Sequence, residues 1–409
     1  MAAPHDQDVD VFRDQARAWL AANMPRAPHD RYVEEQMGGD GVRARELQRR
    51  LFDGGYAGLC LPVEYGGQGL SYKHQLAFND ETGPYEMPIV FNIPTFTIIA
   101  PTILEFGTEQ QRQRHLPAIL HGDELWVQFL SEPSGGSDLA GLVTRAERDG
   151  ETFVLNGSKV WSSGAHRADH ALCLARTNWD VPKHDGLTMF LMAIHQPGVE
   201  VNRIRMSNES HEFCQEYFSD LSIPVRDVLG EVDGGWTVAR ELLGYERSAM
   251  AGSSPYQSGI SSRSSVDPVQ GLIRLARATG RTDDPRVREM IGEVWANEAV
   301  QRSLIARVSA AVESRRLPPD AGSLTRLSAA TNRERIADIG LAIAGAAAVS
   351  AGDDDFAGEQ GVAFLMRQMG SLGGGSSEMQ RNLISERVYG MPRELAADRG
   401  KPFREVRHN

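Results

Sequence analysis

The apolar residues of this 409-residue chain change their spacing twice, and that double change dictates the architecture. Near the start, Phe12, Ala16, Trp19 and Leu20 fall on one face at helical spacing, with Arg13 and Arg17 off it. Pro25 and Pro28 end that helix, and Gly54, Gly55 and residues 62–67 form a turn-rich link. Further apolar helices are expected at 96–106 and 110–120. From Leu125 the pattern becomes strand-like, at 125–130, 152–155, 159–161, 171–175 and 188–194, with Asn156-Gly157 reading as a tight turn. After Gly235 the helical period returns: Trp236, Ala239, Leu242 and Leu243 make one stripe, and helices follow at 268–315, 333–349 and 377–388. Ser377 with Gln380 three residues on reads as a capping box, and Gly390 and Pro392 stop the last helix. The Ser- and Gly-rich segment 252–266 reads as a mobile loop. An α+β chain follows: an α-helical domain at 1–123, a β domain at 124–234 and a second α-helical domain at 235–409.

Formal charge of -12 disfavours nucleic acid or an anionic membrane as the main partner. No run of 18 or more apolar residues occurs, so no bilayer span is expected, and the first residues lack a signal pattern. Cys60, Cys173 and Cys214 are far apart and form no CxxC pair; neither a disulfide framework nor a zinc site is indicated, and a reducing cytoplasm fits. Asp353, Asp354 and Asp355 have no metal-ligand spacing and read as a solvated loop, so no metal is expected.

Two segments carry chemistry. The run Leu130-Ser131-Glu132-Pro133-Ser134-Gly135-Gly136-Ser137-Asp138 ends a strand in a Pro-Gly-Gly turn. Such a loop is either a plain hairpin turn or a cradle whose backbone N–H groups, with the Ser137 hydroxyl, meet a pyrophosphate. Glu246 and Arg247 are either a solvated pair or, among Leu242, Leu243, Ala249 and Met250, a partly buried carboxylate. Burial raises a carboxylate pKa and makes it a better base.

Several motifs, in order, resemble the acyl-CoA dehydrogenases, flavoenzymes that desaturate acyl thioesters. They are Leu61-Pro62-Val63-Glu64-Tyr65-Gly66-Gly67-Gln68-Gly69-Leu70, the run from Leu130 to Asp138, and Leu155-Asn156-Gly157-Ser158-Lys159-Val160-Trp161-Ser162-Ser163-Gly164. Two more close the chain: Ser371-Leu372-Gly373-Gly374-Gly375-Ser376-Ser377-Glu378-Met379-Gln380-Arg381 and Arg387-Val388-Tyr389-Gly390-Met391-Pro392-Arg393. The resemblance implies a barrel-like β domain between an all-α domain and a four-helix bundle. It implies FAD, with Leu130 and Ser131 at the flavin ring, and Gly136 and Ser137 at its diphosphate or the CoA thioester. Trp161, Ser162 and Ser163 would line the flavin's other side, and Ser376 and Glu378 would meet its nucleotide; the same two residues also suit simple capping of the last helix.

Many family members carry the catalytic base where this chain has Gly374; in one branch the base sits at the helical position of Glu246. The resemblance therefore makes Glu246 the base. It puts Gly374, Ser137 and Arg247 on the substrate side: Gly374 through its N–H, Arg247 by positioning its helix. A wide, branched or long acyl group is expected. An electron-transfer flavoprotein is the implied acceptor.

The cross-dimer elements of homomeric relatives are missing. Where an Arg-x-x-Phe-Gly element is usual, this chain reads Leu275-Ala276-Arg277-Ala278-Thr279-Gly280-Arg281-Thr282-Asp283-Asp284-Pro285, and where a Gly-rich segment usually precedes the last helices it reads Ile343-Ala344-Gly345-Ala346-Ala347-Ala348-Val349. This pattern resembles the heteromeric actinobacterial dehydrogenases of steroid side chains. Either a heterotetramer with a homologous subunit or a homo-oligomer, dimer or tetramer, is expected. The rival functions are a flavin-dependent monooxygenase on the same fold and a non-catalytic subunit of a heteromeric dehydrogenase.

Overall fold

The computed structural model describes residues 8–27, 41–250, 252, 254–260, 267–350 and 356–406. By contacts the chain divides into two compact units: Met1–Met206 with Ser210–Ser264 and Ala396–Asn409, and Ser207–Glu209 with Ser265–Leu395.

In the first unit, α1 (Val9–Asn23) starts at Asp8, whose carboxylate accepts from the backbone N–H groups of Asp10 and Val11. Its buried face is Phe12, Ala16 and Leu20, as the spacing predicts. Pro25 follows the helix; Pro28 lies outside the described residues. Helices α2 (Val42–Asp53), α3 (Tyr72–Thr82), α4 (Ala100–Phe106) and α5 (Glu109–His121) follow. Thr108 and Gln111 close a capping box on α5. A π-helical segment, Asn92–Ile99, leads into α4 and is non-helical at Ile93. The stretch Ile89–Phe106 is long and apolar enough by length and composition to cross a membrane, but 78% of it is buried inside the molecule. Phe96, Ile98, Ile99 and Ile103 belong to the same core as the strands.

Eight strands form one mixed sheet: β1 (Trp126–Phe129), β2 (Arg145–Asp149), β3 (Thr152–Ser163), β4 (His170–Arg176), β5 (Leu187–Ala193), β6 (Val199–Arg203), β7 (Phe213–Pro224) and β8 (Val228–Leu229). β1 and β2 run parallel to β4; the other neighbours are antiparallel. Asn156-Gly157 is not the tight turn its composition suggests. Both residues lie inside the 12-residue β3, at a register shift against β7. Gly157 has φ 151, and a Cβ there would stand 2.6 Å from Thr144 Oγ1, so this glycine serves close approach rather than chain reversal.

Helix α6 (Gly235–Met250) buries Val238, Ala239 and Leu242 in the core that also holds Trp126, Phe129 and Phe190. Trp236 and Leu243 pack against it part-buried. Within the expected mobile loop, residues 254–260 are pinned. Asn79 donates to Gln257 O at 2.9 Å and accepts from Gly259 N at 2.9 Å; Asn92 donates to Ser258 O at 2.7 Å and accepts from Ser258 N at 2.8 Å. Two buried amides at helix positions thus replace the freedom that the Ser/Gly content suggested. Residues 261–266 of that expectation lie outside the described residues, as do Asp353, Asp354 and Asp355.

The second unit is helical: α7 (Pro268–Ala278), α8 (Pro285–Glu313), α9 (Gly322–Ala344), α10 (Phe356–Met366) and α11 (Ser377–Leu383), with short turns between. Val269, Leu272, Leu275, Val287, Val294, Ile339 and Ile343 form its core. The helical stretch expected at 268–315 comprises two helices, divided where Asp284 accepts from Arg286 N and Pro285 opens the second. Helix α9 begins 11 residues before the expected Arg333, at Gly322. The cap of α11 is Ser376, not Ser377. Its hydroxyl accepts from Met379 N at 3.3 Å, while Gln380 Nε2 donates back to the carbonyls of Gly375 at 3.2 Å and Gly374 at 3.4 Å.

Candidate active site

In the first unit, Leu130 leaves β1 buried, and the loop from Pro133 to Asp138 is exposed. Its entry is closed by paired backbone bonds, Glu132 N to Gly135 O at 3.2 Å and Gly135 N to Glu132 O at 2.9 Å. Glu132 itself points inward. It accepts from Val143 N at 2.7 Å, Thr144 N at 2.9 Å and Lys159 Nζ at 2.9 Å. Lys159 is fully buried and also donates to Leu130 O at 3.0 Å. Ser131 is half-buried, and its carbonyl accepts from Val160 N. Gly136 and Ser137 are exposed at the loop tip.

Opposite Cys214, strand β3 carries a second register shift between Val160 and Ser162. Trp161 is the extra residue. Its φ is 67, a left-handed conformation that a bulky residue rarely holds, and 58% of it is exposed. The bulge lets Lys159 and Ser162, three residues apart, share the inward face opposite Glu216 and Cys214. The Ser162 hydroxyl therefore donates to buried Glu216 Oε2 at 2.9 Å, and at the surface Ser162 offers only backbone. Ser163 is half-buried at the strand end. Burial pushes the Glu216 carboxyl up to about 8, against the lowering effect of Ser162 and Lys159. Its Oε1 has no hydrogen-bond partner.

Glu246 is half-buried on α6, one residue before exposed Arg247. The neighbouring Tyr245 hydroxyl donates to Glu105 Oε2 at 2.7 Å, and burial, then Glu105, raises its pKa. In the second unit Gly374 has φ 71, Ser376 caps α11, and Glu378 stands in the first turn, 3.7 Å from Arg381. Sequence reasoning missed the Lys159–Glu132 pair and Glu216. The signal was parity: Glu216 sits on the inward set Cys214, Glu216, Phe218 of β7. Among the described residues no group of His, Cys, Asp or Glu could hold a metal, and all three cysteines are free.

Helices, a mixed central sheet and a second helical unit are the architecture of acyl-CoA dehydrogenases, and the family's own models match in that order. They are the N-terminal domain at residues 6–123, the middle domain at 128–221 and the C-terminal domain at 233–389. The chain is 34% identical over 402 residues to acyl-CoA dehydrogenase IpdE1 of Mycobacterium tuberculosis, covering 95% of this chain and 99% of that one. Among solved structures it is similar to the Tcur3481-Tcur3483 steroid ACAD, with 29% identity, TM-score 0.77, and 94% and 98% of the two chains covered. It is also similar to the ChsE4-ChsE5 complex of M. tuberculosis, with 26% identity, TM-score 0.72, and 94% and 98% covered. The chain belongs to the acyl-CoA dehydrogenase family and is an oxidoreductase acting on acyl-CoA.

Proposed function

We propose that the chain carries out FAD-dependent α,β-dehydrogenation of a bulky, branched or long acyl-CoA, with Glu246 as the base. The observation that carries the reading is a half-buried carboxylate on α6 in a chain with no side chain at Gly374. Glu246 removes the proton next to the thioester carbonyl. The Gly374 N–H donates to the carbonyl oxygen as negative charge develops there, a fixed donor that glycine retains. Arg247, exposed on the next position, holds its helix on the substrate side.

Two features fit FAD. Trp161 offers an exposed ring on a strained bulge, a flat wall suited to an isoalloxazine, with Leu130, Ser131, Ser163 and the Ser162 backbone beside it. The exposed loop carrying Gly136 and Ser137 suits a diphosphate, and Ser376 and Glu378 suit its nucleotide. When bound, FAD supplies the acceptor for the β-hydride. An electron-transfer flavoprotein, in the cytoplasm, is the partner for its reoxidation.

The subunit is further read as one half of a heteromeric enzyme. Two similar structures, the Tcur3481-Tcur3483 steroid ACAD and the ChsE4-ChsE5 complex, are named as pairs, and the second unit leaves the apolar side chains of Trp295, Val300, Ile305, Leu365 and Leu372 exposed, as residues that a homologous subunit would cover. The test is to purify the chain alone and with a co-encoded homologue, and to measure FAD content and turnover on a set of CoA thioesters with an artificial acceptor. Full FAD and full turnover by the solitary chain would overturn the heteromer. Oxygen consumption by the reduced enzyme in place of acceptor-dependent turnover would favour the monooxygenase.

A further inference from the structure

The chain ends in a segment that no part of the mechanism above uses, yet its described residues 396–406 group with the first unit. Phe403 is 1% exposed. Its N–H donates to Val181 O at 2.9 Å, and Arg404 N donates to Trp179 O at 3.0 Å, so the tail is held by backbone as well as by the ring. The Phe403 ring centroid lies 3.4 Å from the guanidinium carbon of Arg176 and 5.3 Å from the Trp179 ring.

Arg176 is fully buried, and its donors go to carbonyls: Ala140 O at 2.6 Å, Leu142 O at 3.1 Å and Lys183 O at 3.2 Å. Burial lowers its pKa to about 10, with Glu132 and Asp138 opposing, so the group stays charged at neutral pH. Ala140 and Leu142 are the far end of the Gly136-Ser137 loop. Asp138, next to Ser137, accepts from Lys183 Nζ at 2.9 and 3.0 Å, and Lys183 in turn reaches Asp398 of the tail at 2.7 Å. The tail thus touches the loop's fastenings at two points. It covers the guanidinium that grips the loop's end, and it shares the lysine that grips its middle. Water admitted to Arg176 would compete for the same carbonyls.

We propose that the tail is a positioning strap for the diphosphate loop, with Phe403 acting through Arg176 and Asp398 through Lys183. The proposal rests on the reading of 131–138 as a diphosphate cradle. Hydrogen exchange and FAD titration on full-length Phe403→Ala, Phe403→Leu and Asp398→Asn test it. In Phe403→Ala, amide exchange across 136–142 rises about tenfold while peptides of β7 stay within about twofold of wild type, the mark of local release rather than global loosening. FAD affinity falls about tenfold, and KM for acyl-CoA rises more than kcat falls. Phe403→Leu, which refills the site, restores most of both. Should Phe403→Ala not fold, Asp398→Asn raises loop exchange about threefold, as expected for a partly exposed ion pair. Unchanged exchange at 136–142 in both Phe403→Ala and Asp398→Asn, or an equal rise in the loop and in β7, overturns the strap. If loop exchange responds but the wild-type chain binds no FAD alone or with its homologue, the strap stands and the diphosphate reading falls.

Discussion

Lys159 Nζ lies 2.9 Å from Glu132 Oε1, and neither side chain reaches solvent. Burial alone would raise the Glu132 carboxyl. Lys159 and the Val143 and Thr144 N–H groups overcome this and hold it below its ordinary value. The pair joins strand β3 to the root of the 131–138 loop, and Lys159 adds the bond to Leu130 O. Removing one partner strands the other charge in a dry interior, which costs more than the pair itself contributes. Lys159→Met should therefore lose about 3–5 kcal/mol in urea denaturation. A loss under about 1 kcal/mol would mean that water reaches the carboxylate in the native protein.

Glu216 makes the opposite electrostatic prediction. Its folded pKa of about 8 lies above the ordinary 4.5, so between those values the native state keeps a proton that the unfolded chain gives up. The unfolded state then gains with each pH unit, and stability falls from about pH 5 to pH 8. Glu216→Gln removes the titration and keeps an acceptor for Ser162. It should match wild type near pH 5 and exceed it by a few kcal/mol at pH 8, read as urea midpoints at the two pH values. A wild-type curve as flat as the variant's would place the carboxylate in contact with water.

How far such features can be read from sequence depends on whether they are local. The α1 face, Phe12, Ala16 and Leu20, follows from spacing alone and is buried as expected. Asn156-Gly157 has the composition of a turn but lies inside β3 at a register shift against β7, and Gly157 is required there because Thr144, just before β2, comes too close for a side chain. The cap moved by one residue because Ser376 and Ser377 are chemically alike, and only the extended backbone of Ser376 picks between them. Motif resemblance singled out Trp161 but not its left-handed bulge, which arises from pairing with β7. Phe403 and Arg176 are 227 residues apart, and nothing local in either segment announces their contact.

Trp161 is held in a conformation that costs about 1–2 kcal/mol for a side-chain-bearing residue. An exposed ring recovers little of that by packing; its ring neighbour is Phe213, at a centroid distance of 6.1 Å. Trp161→Gly should raise the melting temperature of the flavin-free protein by a few degrees. The same variant should bind FAD about tenfold more weakly, because the aromatic wall is gone. Loss of stability together with unchanged FAD affinity would show that the ring is an ordinary structural residue.

Glu246 is the residue on which the proposed reaction turns. Gly374 cannot readily take over, since its φ of 71 disfavours any residue with a Cβ, and a glutamate introduced there would carry strain of about 1–2 kcal/mol. Glu246→Gln keeps the size and polarity of the side chain and removes only its capacity to take a proton. With FAD still bound, shown by an unchanged visible spectrum, acyl-CoA reduction of the flavin in stopped flow should slow about 10³-fold, within the range for loss of a general base. Glu246→Asp should recover part of the rate, because the base is restored but withdrawn by one methylene. Full activity in Glu246→Gln would assign the proton transfer to a residue of the partner subunit and leave this chain as a scaffold.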